Sequence, residues 1–328
     1  MILAGDVGGT KTYLARFEIQ GALPGAPIGT EIFPSSKYPS FEALLGEYLA
    51  RNPGPVERAC FGVAGAVVDR CVRVTTLPWT IEAGPLARKL GFGRVDLIND
   101  LVATGYGVAA LGAGELEPLQ ICEPTDDANA GLIAAGTGLG ESILVRVGKD
   151  FLPVATEGGH ADFAARTDEE LKVFRAFRAR YGRVSCERII SGRGIVALGE
   201  FFHEERGASA EWKRHVAEAG ADGPAAVVSR LALSGACHAC MDALRLFVGA
   251  YGAEAGNMAL RAMARAGVYL AGGIAPKILP ALRWKEFLEA FRDKDHLKPL
   301  LETIPVWVIR NERAALLGAA RYAAVAEG

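Results

Sequence analysis

The sequence predicts a mixed α/β fold, and three observations carry that prediction. The chain opens on an apolar segment that turns back through glycines into a second extended segment. Strand-like and helix-like segments then alternate, and midway the pattern of strand, glycine turn and strand starts again. With 328 residues, half of them hydrophobic, the chain has enough apolar material for two packed domains.

Taken in order, Ile2-Leu3-Ala4-Gly5-Asp6-Val7 reads as a short buried strand ending in a glycine turn. Thr12 to Ile19 supplies the returning arm, so the pair forms a hairpin. Residues 41–50 have helical spacing. Arg58 to Ala64 is a strand entering glycine, and Val95-Asp96-Leu97-Ile98-Asn99-Asp100 is a strand ending on two polar residues, with a helix expected from Leu101. Gly131 to Ala135 begins the second round. It runs into Gly136-Thr137-Gly138-Leu139-Gly140, and Glu141 to Val147 is again extended. A long helix is expected from about Ala236 to Ala266, leading into a third strand-to-glycine junction, Val268-Tyr269-Leu270-Ala271-Gly272-Gly273-Ile274. Val306 to Ile309 is a last strand, and Asn311 can cap an alanine-rich terminal helix.

Composition excludes several function classes. The 36 basic and 38 acidic side chains leave a formal charge of -2, which gives no electrostatic reason to expect nucleic acid or an anionic membrane as partner. Anionic ligands must therefore be held by local backbone devices. No signal-peptide pattern and no membrane-length apolar run is present, so a cytoplasmic protein is expected. Six cysteines in a chain of this length do not make a disulfide scaffold, and Cys60 reads as a buried free thiol. Cys237-His238-Ala239-Cys240 has no second Cys/His pair at ligand spacing and opens a helical pattern. It reads as a helix start with small buried residues, and no zinc is assigned there.

Two turns carry phosphate chemistry. In Asp6-Val7-Gly8-Gly9-Thr10-Lys11, glycines let backbone N–H groups close on a phosphate oxygen, and threonine adds a hydroxyl donor. Asp6, at the strand end, can hold Mg²⁺ through water. A P-loop is rejected, because Gly-Lys-Thr is absent and a strand follows instead of a helix. Taken alone, the stretch is equally a plain hairpin turn. Gly136-Thr137-Gly138 is the second such turn. It is not a dinucleotide fingerprint, since an extended segment follows it. Two threonine-bearing glycine turns, each between strands, point to a two-sided phosphate clamp. At the third junction, Gly272 and Gly273 allow close backbone approach to a ligand, or simply tight packing.

These turns, in this order, resemble those of the sugar kinase/heat-shock-70/actin superfamily, and the closer resemblance is to bacterial glucokinases. Leu97-Ile98-Asn99-Asp100, Glu157-Gly158-Gly159-His160, Ser185-Cys186-Glu187-Arg188 with Ser191-Gly192, and Leu270 to Ile274 carry it, and with the turns they span nearly the whole chain. The resemblance implies a two-lobed, actin-like (ribonuclease H-like) fold with mixed sheets and ATP in a cleft between lobes. Residues 1–108 with 310–328 are expected as the small lobe and 109–309 as the large one. It implies that Asn99, Asp100, Glu157, His160 and Glu187 bind D-glucose. ATP is expected at Asp6, Gly8, Gly9, Thr10, Lys11, Gly136, Thr137, Gly138, Gly272 and Gly273, with Mg²⁺ anchored near Asp6. Lobe closure and a homodimer follow from the same resemblance.

The residues make chemical sense beside it. Phosphoryl transfer to a hydroxyl needs in-line positioning, charge neutralisation and a base, and Asp100 at a strand end can be that base. A helix cap or turn is the structural alternative for Asn99-Asp100. Glu187 follows Ser185, which can cap a helix, and so stands in a first helical turn, where an acid is stabilised in any case. The related repressor and kinase family with a cysteine-cluster zinc site is a poorer match, because its Cys-x-Cys cluster is absent. A sugar-sensing regulator, a kinase for another hexose and a chaperone-like or actin-like ATPase are the competing readings. The third of these leaves Glu157-Gly158-Gly159-His160 without a role.

Overall fold

The structure, a computed structural model, describes residues 1–20, 23–220 and 223–326. The chain divides into two compact units. The first comprises Met1–Glu115, Val147–Ala155 and Asn311–Gly328, and the second Leu116–Arg146 and Thr156–Arg310.

In the first unit β1 (Ile2–Val7) and β2 (Lys11–Phe17) form the expected antiparallel hairpin, with Asp6 opposite Tyr13 and Val7 opposite Thr12. The short pair β3 (Ile19–Gln20) and β4 (Leu23–Pro24) precedes β5 (Ile28–Pro34). Helix α1 (Phe41–Arg51), capped by Ser40, leads to β6 (Arg58–Val63). A small meander, β7 (Val67–Val68), β8 (Cys71–Arg73) and β9 (Thr80–Glu82), then passes to α2 (Ala83–Leu90), β10 (Arg94–Asn99) and α3 (Asp100–Val108). The main sheet has the order β10-β6-β1-β2-β5, with β10, β6 and β1 parallel. One face of it is filled by Phe41, Tyr48, Phe61 and Trp79, with Phe41 edge-on to Phe61.

The opposite face is covered through α13 (Ala314–Val325), whose Leu316, Ala319, Ala320 and Ala323 pack on Ile2, Ala4, Phe17 and Cys60. Helices α3 and α13 cross at backbone contact. A Cβ on Gly318 would lie 1.7 Å from the Ala103 carbonyl oxygen, and one on Gly107 would lie 2.1 Å from that of Ala314. Asn311 does not cap α13 directly. Its side chain accepts from the Arg313 N–H, one residue before the helix, and Arg313 is the cap residue.

The second unit is built on β11 (Leu116–Gln120), β12 (Ala130–Ala135) and β13 (Leu139–Val147). The chain continues through β14 (Asp150–Thr156), and later supplies β15 (Gly267–Ala271) and β16 (Val306–Ile309). The sheet runs β11-β16-β15-β12-β13, with β12, β15 and β16 parallel. Its helices are α4 (Asp168–Tyr181), α5 (Cys186–Ile189), α6 (Gly192–Glu205), α7 (Ser209–Ala217), α8 (Gly223–Leu233) and α9 (His238–Ala262), then α10 (Leu279–Leu282), α11 (Lys285–Arg292) and α12 (Lys298–Glu302). The apolar α9 runs through the middle of this core, with Leu244, Phe247, Val248 and Tyr251 fully buried. It stops four residues short of the expected end, because Met263 turns left-handed (φ 48°) and its N–H closes on Ala259 and Leu260. Among the described residues no single helix is long and apolar enough to cross a membrane. All six cysteines are free thiols.

Candidate active site

The first unit gathers its polar groups at the carboxyl ends of three parallel strands, where open α/β sheets offer ligands their crevice. Register sets Asp6 of β1 beside Gly62 of β6, and Gly62 beside Ile98 of β10. Asn99 and Asp100 therefore emerge from the same end of the sheet as Asp6. Gly62 makes this possible, since a Cβ there would lie 2.7 Å from the Ala103 Cβ in the first turn of α3. Asn99 caps α3 by accepting from the Leu101 N–H at 2.9 Å, while its amide donates to the Gly65 carbonyl at 3.2 Å. Asp100 is the first residue of that helix, and its Oδ1 also accepts from Leu101 N–H, at 3.0 Å. The cap reading of this pair is thus correct for Asn99, and it leaves Asp100 at a helix N-terminus, where a carboxylate is favoured. Burial, and then the negative charge of Asp100, push the Asp6 carboxyl up to about 7. A half-buried carboxyl that feels the charge of a second one is a donor set that suits a divalent cation.

The glycine turn between β1 and β2 is closed by Gly8 N–H donating to the Lys11 carbonyl at 3.0 Å. Ser35 braces it from β5's end: its N–H donates to the Thr10 carbonyl, and its hydroxyl donates to the Gly8 carbonyl at 2.7 Å and meets the Thr12 hydroxyl at 3.0 Å. Thr10 and Lys11 are exposed. Gly9 is pressed on Thr76, whose Oγ1 would lie 1.7 Å from an added Cβ.

In the second unit, the turn between β12 and β13 is closed by Gly136 N–H on the Gly138 carbonyl at 2.8 Å. Its supports come from Glu187 and the start of α6. Glu187 Oε2 accepts from the Leu139 N–H at 3.1 Å, and Arg193 donates to the Thr137 carbonyl and to Glu187 Oε1, both at 3.3 Å. Gly192 N–H donates to the Gly136 carbonyl at 2.8 Å. At Gly138 an added Cβ would sit 2.5 Å from Glu187 Oε2 and would force that carboxylate to shift. The third junction lies against the same turn. Gly272 (φ 82°) leaves 2.3 Å between an added Cβ and the Ala135 carbonyl oxygen, which also accepts from Ile274 N–H.

Glu157 and His160 bracket a single 3-10 turn, Gly158–His160, and both side chains are exposed. The two glycines are forced by close packing: Cβ atoms on Gly158 and Gly159 would lie 2.2 Å from Glu141 Oε2 and 2.0 Å from the Leu139 carbonyl oxygen. The turn is joined to the Ser185 segment by a β-bridge between Asp162 and Ser185, and by Cys186 N–H on the Ala161 carbonyl. Ser185 caps α5 as expected. Glu157, His160 and Glu187 thus share one scaffold around the start of β13.

Several participants were not visible in the sequence. Ser35 and Arg193 brace the two turns, and Thr137 lies at the edge of a 460 Å³ cavity lined by Tyr181, Arg193, Val196, Ala197 and Pro224. Behind Gly158, the buried Glu141 and Glu254 share Arg261, at 3.6 and 2.6 Å. Burial, then the Glu254 charge, raises the Glu141 carboxyl to about 8.

A family model described as Glucokinase matches residues 3–326. The chain belongs to the glucokinase family. It is 40% identical to a glucokinase of Synechocystis over 98% of this chain and 97% of that one, and 38% identical to a glucokinase of Nostoc punctiforme over 99% of both. Among solved structures, it is similar to a glucokinase from an Antarctic psychrotroph, with a TM-score of 0.84, 27% identity and 98% of each chain covered. A Balamuthia mandrillaris glucokinase in complex with glucose shares the fold at a TM-score of 0.77 and 21% identity, over 98% of this chain and 93% of that one. The glucokinase fold is the actin-like ATPase α/β fold that the turns imply, here with both mixed sheets in place.

Proposed function

We propose that this chain transfers the γ-phosphoryl group of ATP to O6 of D-glucose, with Asp100 as the general base. Membership of the glucokinase family makes it an ATP-dependent glucose kinase. The observation that carries the residue assignment is the common strand end of Asp6, Asn99 and Asp100, next to the glycine turn with Thr10.

In the proposed reaction Asn99, Glu157, His160 and Glu187 hydrogen-bond the sugar hydroxyls. Polar groups that pair with each hydroxyl of a bound sugar reject analogues that lack one. The Asp100 carboxylate accepts the O6 proton as O6 bonds to the γ-phosphorus and the β,γ-bridging oxygen leaves with ADP. Backbone N–H groups and hydroxyls of Gly8, Gly9, Thr10, Gly136, Thr137 and Gly138 hold the phosphates, with Lys11 adding positive charge. The positive end of α6, beside the second turn, favours anions there. Gly272, Gly273 and the apolar cavity of Tyr181, Val196, Ala197 and Pro224 suit the adenosine. Mg²⁺, held through water at Asp6, would neutralise phosphate charge. Residues 1–108 with 310–328 would act as the small lobe and 109–309 as the large one, in a cytoplasmic homodimer.

A coupled assay across hexoses, with ATP and Mg²⁺ each omitted in turn, tests this reading. ADP formation dependent on D-glucose supports it. No ATP turnover with any hexose removes the kinase, and glucose binding without turnover would favour a sensor.

A further inference from the structure

Cys237 and Cys240 lack a second pair of ligands in the nearby sequence, but the fold supplies one from two other helices. His203 of α6 and His215 of α7 reach the start of α9, where Cys237 is the cap residue and Cys240 stands in the first turn. One potential donor atom from each of the four lies within 4.8 Å of the other three. All four residues are buried, with relative exposures of 0% (His203), 6% (His215), 6% (Cys237) and 0% (Cys240).

The hydrogen bonds around the cluster orient it inward. His203 Nδ1 lies 2.6 Å from the Gly199 carbonyl oxygen, which fixes the proton on that nitrogen and leaves the lone pair on Nε2. That Nε2 is 3.5 Å from Cys237 Sγ. With zinc bond lengths of 2.0–2.3 Å, a tetrahedral site has a nitrogen-to-sulfur edge of about 3.6 Å. His215 turns Nε2 toward Glu211 Oε1 at 3.6 Å, and its buried Nδ1 has no hydrogen-bond partner among the described residues. A buried ring nitrogen without a partner is costly unless something binds it. The Cys240 N–H points at Cys237 Sγ at 3.3 Å, which holds that sulfur in place at the start of α9.

We propose that His203, His215, Cys237 and Cys240 form a structural Zn²⁺ site. Two nitrogens and two sulfurs make a closed tetrahedral set with no position left for substrate, which is the arrangement of structural rather than catalytic zinc. The ion would tie α7 to α6 and to the start of α9. The site stands independently of the kinase reading and uses none of its residues.

The test uses the full chain, purified under reducing conditions. Mass spectrometry of the metal content should find about one zinc per chain. Chelator-treated protein reloaded with Co²⁺ should show the intense visible bands of a tetrahedral site together with thiolate charge-transfer absorption. Cys240→Ser and His215→Gln should each remove those bands. A zinc-selective chelator, with Mg²⁺ kept in excess, should lower Tm by several degrees, and added Zn²⁺ should restore it. The proposal fails if wild-type protein refolded with Zn²⁺ retains less than about a tenth of an ion per chain. It fails equally if Co²⁺ gives no tetrahedral spectrum, or if Cys237 and Cys240 are found as a disulfide in the metal-free native protein. The wild-type measurements stand even if the variants do not fold.

Discussion

The two glycine turns, at Gly8 and at Gly136, share a sequence device and lean on different neighbours. In the first unit the turn is braced by Ser35 and packed on Thr76, neither of which is among the proposed sugar ligands. In the second unit the turn leans on Glu187, a proposed sugar ligand, and on the first residues of α6. On the proposed assignment, the first turn responds to nucleotide alone. The second shares a hydrogen bond with Glu187, so on the same assignment a change in the turn is expected to displace the sugar ligand. A repeated motif does not imply a repeated mechanical role.

Replacing Asp100, the proposed base, is expected to have the largest effect. Asp100→Asn keeps the shape of the α3 N-terminus and removes the proton acceptor, so kcat should fall about 10²–10⁴-fold, with glucose affinity by calorimetry largely kept. Retained activity would remove Asp100 from the role of base.

The two turns are separated by matched substitutions. Gly9→Ala drives a Cβ against Thr76 and should raise the KM for ATP about tenfold or more, leaving glucose affinity in the absence of ATP unchanged. Gly138→Ala pushes on the Glu187 carboxylate and should weaken both ligands by a comparable factor. If Gly138→Ala leaves glucose binding intact, the link between turn and sugar site does not exist.

Smaller effects concern stability. Ser35→Ala removes the buried hydroxyl that joins Gly8 and Thr12, and denaturant titration should show a loss of about 1–2 kcal/mol. Each unit carries a carboxyl raised by burial, Asp6 beside the first turn and Glu141 behind Gly158 in the second. Glu141 is protonated in the folded chain up to about 8, whereas an unfolded glutamate ionises near 4.5. Between those values the folded state holds more protons, so this contribution is full below the unfolded value and is lost as pH rises through the folded one. Glu141→Gln should flatten that slope and raise stability at pH 8 by on the order of 1–2 kcal/mol. An unchanged dependence of Tm on pH would contradict it.

Much of this was legible in the sequence, because the features that carried it are local. A strand that ends on Asn99-Asp100, a glycine turn with a threonine and a serine before a short helix are each read within six residues or so, and β1, β2, β6, β10, β12, β13, β15 and β16 all lie where apolar runs placed them. What escaped depends on distance along the chain. Ser35 meets Gly8 across a strand pairing, and Glu141 meets Glu254 and Arg261 only after α9 packs on the sheet. His203 and His215 join Cys237 and Cys240 through three helices. The end of α9 was missed because Met263, not glycine, takes the left-handed conformation.

The glycine-to-backbone crossing of α3 and α13 sets a timetable for synthesis. The helix that begins with Asp100 leaves the ribosome early, while the helix that seats it follows only after the whole of the second unit has been made. At about 5–20 residues per second, the roughly 200 residues between them take about 10–40 s to translate. During that interval the face of α3 that meets α13 is uncovered, and Asp100, the proposed base, stands on a helix without its backing. The nascent chain is therefore expected to gain activity only after the terminal helix has been made.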